Sequence, residues 1–353
     1  MNGFTYDALP GRIVFGLGSS RTRLQGEVER LKSQRLLVIA SRRDSALAIE
    51  LTAPFADRVA GAFTNVRVHV PIEVAEAARS TARELQADAI LALGGGSAIG
   101  AAKAIALENP LPIIAVPSTY SGSEMTPIYG LTSGQRKQTG RSPNVLPRVV
   151  IYDPELTFGL PAQISGPSAI NALAHCVEAF YGPGANPVTD LMAEEGIRAL
   201  VAGVPAVVAQ PTDVEGRSKT LYGAYLAGAA LAAAGTGLHH KICHILGGAY
   251  NLPHADLHTV ILPHAVAYLT PAIPAAMARI ATALQSNNAA TAIYDLAARI
   301  GAPIALSAIG MPGDQLDTAA ALLVEHLPVD LPRTLDIDSA KVLIADAYHG
   351  RRP

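Results

Sequence analysis

The sequence predicts an α/β domain with a parallel sheet, followed by an all-helical domain. Three observations support this fold class. Short β-branched runs alternate with helical patterns in the first half, a glycine-rich turn joins one strand to one helix, and strand patterns stop after Asp153-Pro154. A chain of 353 residues also favours two domains over one. We therefore expect an α/β domain at 1–157 and a helical domain at 158–353.

Buried strand patterns recur in the first half, and helical patterns lie between them. The predicted strands are 35–41, 65–70, 88–94 and 112–118, and the intervening helices are 72–86 and 97–108. The segments "YGLT", "RKQTG" and "RVVIYDP" predict further strands joined by turns. Strands that alternate with helices in this order indicate a parallel sheet with crossover helices.

Helical patterns fill the second half, and Pro and Gly residues separate them. The predicted helices are 166–181, 188–204, 214–234, 239–249, 265–269, 274–284 and 289–300, with a further set at the C-terminal end.

Composition narrows the class of protein. Half of the residues are hydrophobic, 16% are charged and the net charge is −2, so neither nucleic acid nor an anionic membrane is an expected partner. Two cysteines, Cys176 and Cys243, are too few for a disulfide framework. The first residues lack the pattern of a signal peptide, and no stretch resembles a membrane span. We expect a soluble cytoplasmic protein.

A phosphate site is predicted at "LALGGGSAIGAAKAIAL", where glycines follow a strand and open a helix. Glycines let the backbone approach a ligand closely, and the helix N-terminus offers free N–H groups and a positive dipole end. The turn does not match G-x-G-x-x-G, and a βα turn that binds nothing is the alternative. The next strand also ends in a polar loop, "PSTYSGSE", at the same sheet edge. Together these features favour Rossmann-like dinucleotide binding.

The expected cofactor is NADH or NADPH. An acidic residue at the end of the strand 35–41 would hold a ribose 2′-OH, but Ser41 occupies that end and Arg42 and Arg43 follow it. This arrangement is compatible with NADPH as well as NADH, unless both arginines are only solvated surface residues. The expected cofactor contacts are Ser41, Arg42, Gly94, Gly95, Gly96, Ser97, Ser118, Thr119 and Lys137.

Five of the ten histidines lie in "GLHHKICHILGGAYNLPHADLH". His240 and His244 are four residues apart on a predicted helix and share a face, and His254 follows Pro253 in a predicted loop. Asn171 and His175 form a second pair with this spacing. The clustering indicates a metal or proton-transfer site, whereas His258 and His264 are also compatible with structural roles.

Five motifs together resemble the iron-containing alcohol dehydrogenase superfamily: "GGGSAIGAAKAIA", "PSTYSGSEMTP", "VVIYDPELT", "NALAHCVEAF" and "GLHHKICHILGGAYNLPHADLHTVILPH". They cover most of the chain in the family's order. The resemblance implies a dehydroquinate synthase-like architecture with an N-terminal dinucleotide-binding domain and a helical domain, an active site in the cleft, and a homodimer.

The resemblance also implies a metal position. Metal-dependent members use one Asp and three His, which correspond here to Asn171, His175, His240 and His254. Asn171 replaces the carboxylate with a neutral amide, a weaker ligand for Fe²⁺ or Zn²⁺. The pattern is most similar to one branch, the maleylacetate reductases, in which a metal is not needed. The resemblance therefore implies an NAD(P)H-dependent reductase of the C=C bond of maleylacetate, and no metal is expected.

This chemistry assigns roles to the remaining residues. His244 is the leading candidate for the proton donor, and His240 positions it or shares the role. Lys241 and His239 are the expected cationic contacts to a small dicarboxylate substrate. The further substrate contacts expected are His175, His254, Asn171 and Tyr120. The two cysteines are expected to be packing residues.

Two alternatives remain open from the sequence. One is a metal-dependent alcohol dehydrogenase of the same superfamily, which bound metal and sensitivity to a chelator would distinguish. The other is a non-catalytic dinucleotide-binding sensor, which tight cofactor binding without turnover would distinguish.

Overall fold

A computed structural model describes residues 4–9, 11–133, 136–328 and 331–353, apart from the side chains at 136 and 137. The chain forms two compact units. Ala8–Leu160 form one, and the segment up to Asp7 joins Pro161–Pro353 in the other. This division falls three residues after the predicted boundary at 157.

A six-stranded parallel sheet organises the α/β unit, with strand order β1-β8-β5-β4-β2-β3. The strands of this sheet are β1 (Arg12–Phe15), β2 (Leu36–Ala40), β3 (Val59–Phe63), β4 (Ala89–Gly94), β5 (Ile113–Pro117) and β8 (Val149–Tyr152). The helices are α1 (Ser19–Arg30), α2 (Ser45–Thr52), α3 (Ile72–Glu84) and α4 (Gly96–Glu108). An antiparallel hairpin adds β6 (Ile128–Ser133) and β7 (Arg136–Arg141).

The central strands explain why this sheet forms. Every residue of β2, β4 and β5 is buried, as expected for strands covered by helices on both faces. One apolar cluster packs Ile39, Ile90 and Ile99 on one side, and another packs Leu36, Leu91 and Ile114 on the other. The α/β fold class predicted from the sequence is confirmed.

One predicted strand was wrong, and two strands, β3 and β1, were missed. Residues 65–70 are not a strand, because His69 and Val70 have positive φ angles of 63° and 45°. The strand beside β2 is instead β3, whose Ala62 and Phe63 pair with Val38 and Ile39. The edge strand β1 has only four residues, which is too short for a clear sequence pattern.

Helices make up the regular structure of the second unit in the part of the chain that is described. They are α5 (Ala162–Ala179), α6 (Pro187–Ala209), α7 (Val214–Ala234), α8 (Leu238–Tyr250), α9 (His254–Leu269), α10 (Pro274–Ala283), α11 (Ala289–Arg299), α12 (Leu316–His326) and α13 (Ile337–His349). Small residues permit close helix packing here: a Cβ on Gly203 would lie 2.7 Å from the backbone nitrogen of Thr220. α9 is longer than the predicted 265–269 and begins at His254, so His254 opens a helix rather than lying in a loop.

No single helix among the described residues has the length and hydropathy needed to cross a membrane. The pair Val214–Ala234 and Leu238–Tyr250 meets those criteria only jointly, and its two helices are bent by 96°.

Candidate active site

The glycine-rich turn lies between β4 and α4, as predicted. Gly94 has φ +132°, a conformation that side chains rarely adopt, and α4 begins at Gly96. No side chain of the described residues caps this helix, so its N-terminal end, with its positive dipole, remains available to an anion. A Cβ on Gly95 would lie 3.0 Å from Cγ2 of Thr119, so the turn packs closely against the segment after β5.

Hydroxyl groups follow β5 at the same edge of the sheet. The hydroxyl oxygens of Ser118, Thr119 and Ser121 are buried and have no hydrogen-bond partner among the described residues. The backbone N–H of Ser118 donates to the carbonyl of Gly94 at 3.1 Å, which joins this segment to the glycine turn. Unsatisfied buried hydroxyls beside a helix N-terminus fit the phosphates and ribose of a dinucleotide.

A buried lysine fixes the loop that follows these hydroxyls. Lys103 of α4 is 1% exposed, and its ammonium donates to the carbonyls of Ser123, Thr126 and Ile128 at 2.6, 2.8 and 2.8 Å. Burial lowers the pKa of Lys103 to about 7, against the opposing charge of Glu124. Burial raises the pKa of Glu124, although its Oε1 accepts a hydrogen bond from the Tyr152 hydroxyl at 2.8 Å.

The other predicted cofactor contacts have varied surroundings. Ser41 follows β2 and donates its hydroxyl to Oδ2 of Asp44 at 2.6 Å, whereas Arg42 is exposed. Tyr120, which was expected to contact substrate, is fully buried in the α/β unit. Lys137 lies in β7, but its side chain is outside the described part of the chain.

Histidines converge in the helical unit. The His240 ring stacks on that of His175, with centroids 4.9 Å apart and an interplanar angle of 20°. The His258 ring lies 4.6 Å from that of His240 and 4.3 Å from that of His254. His239 Nε2 and His258 Nδ1 are hydrogen-bonded at 2.9 Å. The ring of His244 is edge-on to that of His240 at 6.1 Å. We call these six residues the histidine cluster.

Glu178 of α5 holds His240, and sequence reasoning missed it. Its Oε2 accepts a hydrogen bond from His240 Nδ1 at 2.5 Å, and its Oε1 accepts from the His240 backbone N–H at 3.1 Å. The Tyr181 hydroxyl donates to Oε1 at 3.2 Å. Burial alone would raise the pKa of Glu178, but the His240 ring and these hydrogen bonds lower it to about 2. Glu178 is therefore a buried, ionised carboxylate.

The neighbouring histidines are neutral. Burial, together with the charge of nearby imidazoles, lowers the pKa of His239 to about 3 and holds the pKa values of His175 and His258 well below the usual range. Burial also raises the pKa of the Cys243 thiol, and both cysteines are free and buried. Unreactive thiols agree with the packing role predicted for them.

Four polar atoms in this region are buried without a hydrogen-bond partner among the described residues: Asn171 Oδ1, His175 Nδ1, His240 Nε2 and His258 Nε2. Unpaired buried polar atoms are costly, and a native fold retains them where a ligand satisfies them. Asn171 and His175 were both predicted substrate contacts. A polar ligand can therefore bind at Nε2 of His240, the ring nitrogen that does not contact Glu178.

The remaining predicted residues lie on α8 and α9. Lys241 is partly buried, and His244 and His254 are exposed. His239 is fully buried, neutral and bonded to His258, so it does not suit the cationic contact predicted for it. The role of His244 as the leading proton donor stays a prediction.

A divalent ion fits this donor set. His239, His240 and His258 each offer a ring nitrogen within 4.8 Å of the others. Neutral imidazoles are ligands for zinc and iron, and a carboxylate on the second nitrogen of a ligand histidine, as Glu178 provides, orients such ligands. Asn171, which corresponds to the Asp ligand of metal-dependent members, brings no charge to offset the ion.

The two sites define an oxidoreductase that uses a nicotinamide dinucleotide. The family described as iron-containing alcohol dehydrogenase matches residues 10–154, and the Fe-containing alcohol dehydrogenase family, C-terminal, matches residues 167–348. The chain belongs to the iron-containing alcohol dehydrogenase family, and it is an NAD(P)-dependent oxidoreductase.

Relatives over the full length share one name. The chain is 50% identical to the maleylacetate reductase of Burkholderia cepacia over 353 residues, which cover 100% of both chains. It is 46% identical to that of Sphingobium indicum over 350 residues, 99% of both chains. The crystal structure of maleylacetate reductase from Agrobacterium tumefaciens has a TM-score of 0.97 and 43% identity, and it covers 100% of each chain.

Proposed function

We propose that this enzyme reduces the C=C bond of maleylacetate with NAD(P)H to give 3-oxoadipate. The full-length similarity to maleylacetate reductases supports the substrate. The observation that carries the chemistry is the Glu178–His240 pair, whose free ring nitrogen lies in a buried histidine cluster with unsatisfied polar atoms.

The reaction needs one hydride and one proton. Maleylacetate has a C=C bond conjugated to a ketone, so hydride from the nicotinamide adds at C2 and leaves an enolate on the C4 oxygen. A proton delivered to C3 then gives 3-oxoadipate. An enolate is much less basic than an alkoxide, so general acid catalysis suffices, and this typically contributes about a hundred- to ten-thousand-fold.

His240 is suited to supply that proton. Its Nδ1–H is bound to the ionised Glu178, so a second proton must reside on Nε2, the atom without a partner among the described residues. The Glu178 carboxylate fixes the orientation of the ring, so that Nε2 is the nitrogen that faces the other polar atoms of the cluster. The stacked His175 stays neutral because burial lowers its pKa, so His240 does not carry its charge against a second imidazolium.

His244 completes the path in this proposal. It is exposed, and its ring lies edge-on to His240 at a centroid distance of 6.1 Å. After each turnover, His244 passes a proton from solvent to His240. In this proposal His244 takes part in catalysis as a proton relay, and His240 is the group nearer the substrate.

The dianionic substrate needs polar contacts besides the acid. Lys241 is partly buried next to His240 in the chain, and its ammonium is the proposed contact to a carboxylate. Asn171 has a buried amide whose Oδ1 is unpaired among the described residues, and its N–H is the proposed donor to the substrate. A neutral amide avoids the repulsion that a carboxylate would exert on a dianion.

We further propose that turnover does not require a metal. A divalent ion, when bound by the imidazoles, supplies Lewis-acid polarisation of a carbonyl oxygen. The enolate formed here demands less charge stabilisation than an alkoxide, and Asn171 gives an ion no compensating charge. A metal-dependent alcohol dehydrogenase is the second candidate, and the His239, His240 and His258 donor set favours it.

The deciding experiment measures NAD(P)H oxidation with maleylacetate in chelator-treated buffer, with metal analysis of the same protein. We expect full activity without stoichiometric metal, and 3-oxoadipate as the product by mass spectrometry. Activity that disappears with chelator and returns with Fe²⁺ or Zn²⁺ would support the metal-dependent candidate. Tight cofactor binding without turnover of maleylacetate or any aldehyde would leave a dinucleotide-binding sensor.

A cytoplasmic homodimer without nucleic-acid or membrane partners is also part of the proposal. Two free, buried cysteines support the compartment, and a net charge of −2 supports the absence of nucleic-acid and membrane partners. The dimer rests on the family resemblance alone. Light scattering of the purified protein tests the dimer.

A further inference from the structure

Asp44 places a carboxylate near the strand end at which the sequence has Ser41 instead of an acidic residue. It lies at the N-cap of α2, but its side chain makes no capping hydrogen bond, although aspartate usually does so there. Instead, Oδ2 accepts the Ser41 hydroxyl at 2.6 Å, and the Asp44 backbone N–H donates to Ser41 Oγ at 3.2 Å. These two bonds turn the carboxylate back towards the carboxyl edge of the sheet.

The carboxylate reaches the glycine turn. A Cβ on Gly94 would lie 3.3 Å from Asp44 Oδ2, so the acid stands beside the first glycine of the phosphate site. Both also line a cavity of about 240 Å³ within the α/β unit. Its other lining residues are Arg43, Leu47, Leu93, Ser118, Leu156, Gly159 and Leu160. A largely apolar pocket with one carboxylate just beyond a strand end has the chemistry of a site for the adenosine part of a dinucleotide.

We infer that Asp44, held by Ser41, makes this enzyme prefer NADH to NADPH. A carboxylate accepts a hydrogen bond from the ribose 2′-OH of NADH and repels the 2′-phosphate of NADPH. The Asp44 side chain is only 18% exposed, so solvent screens this repulsion incompletely. The sequence pattern alone pointed to either cofactor because the acid lies three residues beyond the strand-end position.

Arg43 reduces the preference for NADH over NADPH. Its Nε is 3.6 Å from Asp44 Oδ1, but its side chain is 73% exposed. An exposed guanidinium offsets part of the carboxylate's charge and attracts a 2′-phosphate. Arg43 and Asp44 therefore act in opposite directions on the choice of cofactor.

The test measures binding by calorimetry without any second substrate, using NADH and NADPH as well as the fragments ADP and 2′,5′-ADP. The wild type should bind NADH about tenfold more tightly than NADPH. Asp44→Asn should reverse or abolish this ratio, and Ser41→Ala should shift it in the same direction by less. Arg43→Ala should increase the preference for NADH. Asp57→Asn removes an exposed carboxylate of the same unit and should leave the ratio unchanged.

Equal or tighter binding of NADPH by the wild type would overturn the inference, as would an unchanged ratio in folded Asp44→Asn. Should Asp44→Asn fail to fold, Arg43→Ala decides, because tighter NADPH binding by that exposed-site variant contradicts the assignment. The inference rests on NAD(P) binding and not on the proposed substrate. Failure of maleylacetate turnover therefore leaves these binding ratios interpretable.

Discussion

Each unit buries a glutamate completely, and the pKa values of the two glutamates are shifted in opposite directions. Glu178 in the helical unit has His240 on one oxygen and two further donors on the other, and its pKa falls to about 2. Glu124 in the α/β unit has the Tyr152 hydroxyl on one oxygen and no partner among the described residues on the other, and burial raises its pKa. The effect of burial is thus overcome at Glu178, where the His240 ring and several hydrogen bonds act together.

The difference matches what each unit does. In the proposed function, the helical unit uses a buried carboxylate to orient an acid, whereas the α/β unit offers backbone N–H groups, glycines and hydroxyls to the cofactor. A change of side-chain charge should therefore affect the helical unit most, and a change beside the backbone should affect the α/β unit most. Four substitutions test this contrast.

The largest effect is expected at Glu178. Glu178→Gln keeps the shape but replaces the carboxylate that orients the His240 ring with an amide, so kcat should fall by about a hundred- to ten-thousand-fold, the range of a lost general acid. The matched variant is Glu124→Gln, which should lower kcat by less than about tenfold because a carboxyl and an amide are nearly isosteric and Glu124 holds no group proposed to move a proton. Steady-state kinetics with circular dichroism checks both. Similar kcat values for the two variants would contradict the contrast.

Lys103 is the second test. Lys103→Met leaves three buried carbonyls without their donor and removes the charge opposite Glu124, so the free energy of unfolding should fall by about 3 kcal/mol. Affinity for NADH should fall as well, because Lys103 fixes the loop after the Ser118 and Thr119 hydroxyls. Lys219→Met, which breaks an exposed pair with Glu215, should cost about 0.5 kcal/mol or less. Denaturant titration compares them, and equal losses would show that Lys103 is no anchor.

Features that depend on neighbouring residues were predicted from the sequence, whereas features that depend on contacts between distant residues were not. The glycine turn and the strands around it depend on local patterns, and the structure has them where the sequence placed them. Strand 65–70 was wrong because its alternation is also compatible with a loop, and the true β3 is chosen by pairing with β2. Burial and pairing of this kind are tertiary effects that local propensity does not contain.

The histidine cluster shows the same limit. Five of its six members lie close together in the sequence, at 239–258, but the carboxylate partner of His240 lies 62 residues away. Within "NALAHCVEAF", Glu178 resembles an ordinary helix carboxylate. One available signal was its position three residues after His175, on the same face of the helix. Asp44 was overlooked in a similar way, because hydrogen bonding to Ser41 and not strand position directs its carboxylate.

His264 is a buried histidine of the helical unit outside the histidine cluster, and it tests how burial of a neutral imidazole affects stability. Burial lowers its pKa from 6.5 to about 4, so the folded state resists protonation that the unfolded chain accepts. Its contribution to stability is complete above pH 6.5 and is lost as the pH falls towards 4, a difference of about 3 kcal/mol. His264→Gln should remove this part of the pH dependence, which denaturant titrations at several pH values would measure. An unchanged slope in His264→Gln would contradict the prediction.

Gly95 gives the smallest expected effect and tests the backbone side of the contrast. Its φ of −83° suits any residue, unlike the +132° of Gly94, so Gly95→Val should fold. The new Cβ would lie 3.0 Å from Thr119 Cγ2, which must move by a few tenths of an ångström, and the branched side chain would occupy the space where the backbone meets the pyrophosphate. The Kd for NADH should rise about tenfold, equivalent to about 1.4 kcal/mol, with little change in kcat at saturating cofactor. Gly26→Ala is the matched control, since nothing lies within 4 Å of its Cβ in α1 and alanine favours a helix. Calorimetric titration that finds the same NADH affinity in folded Gly95→Val and Gly26→Ala would show that the cofactor does not approach this turn, and the assignment of backbone binding to the α/β unit would fail with it.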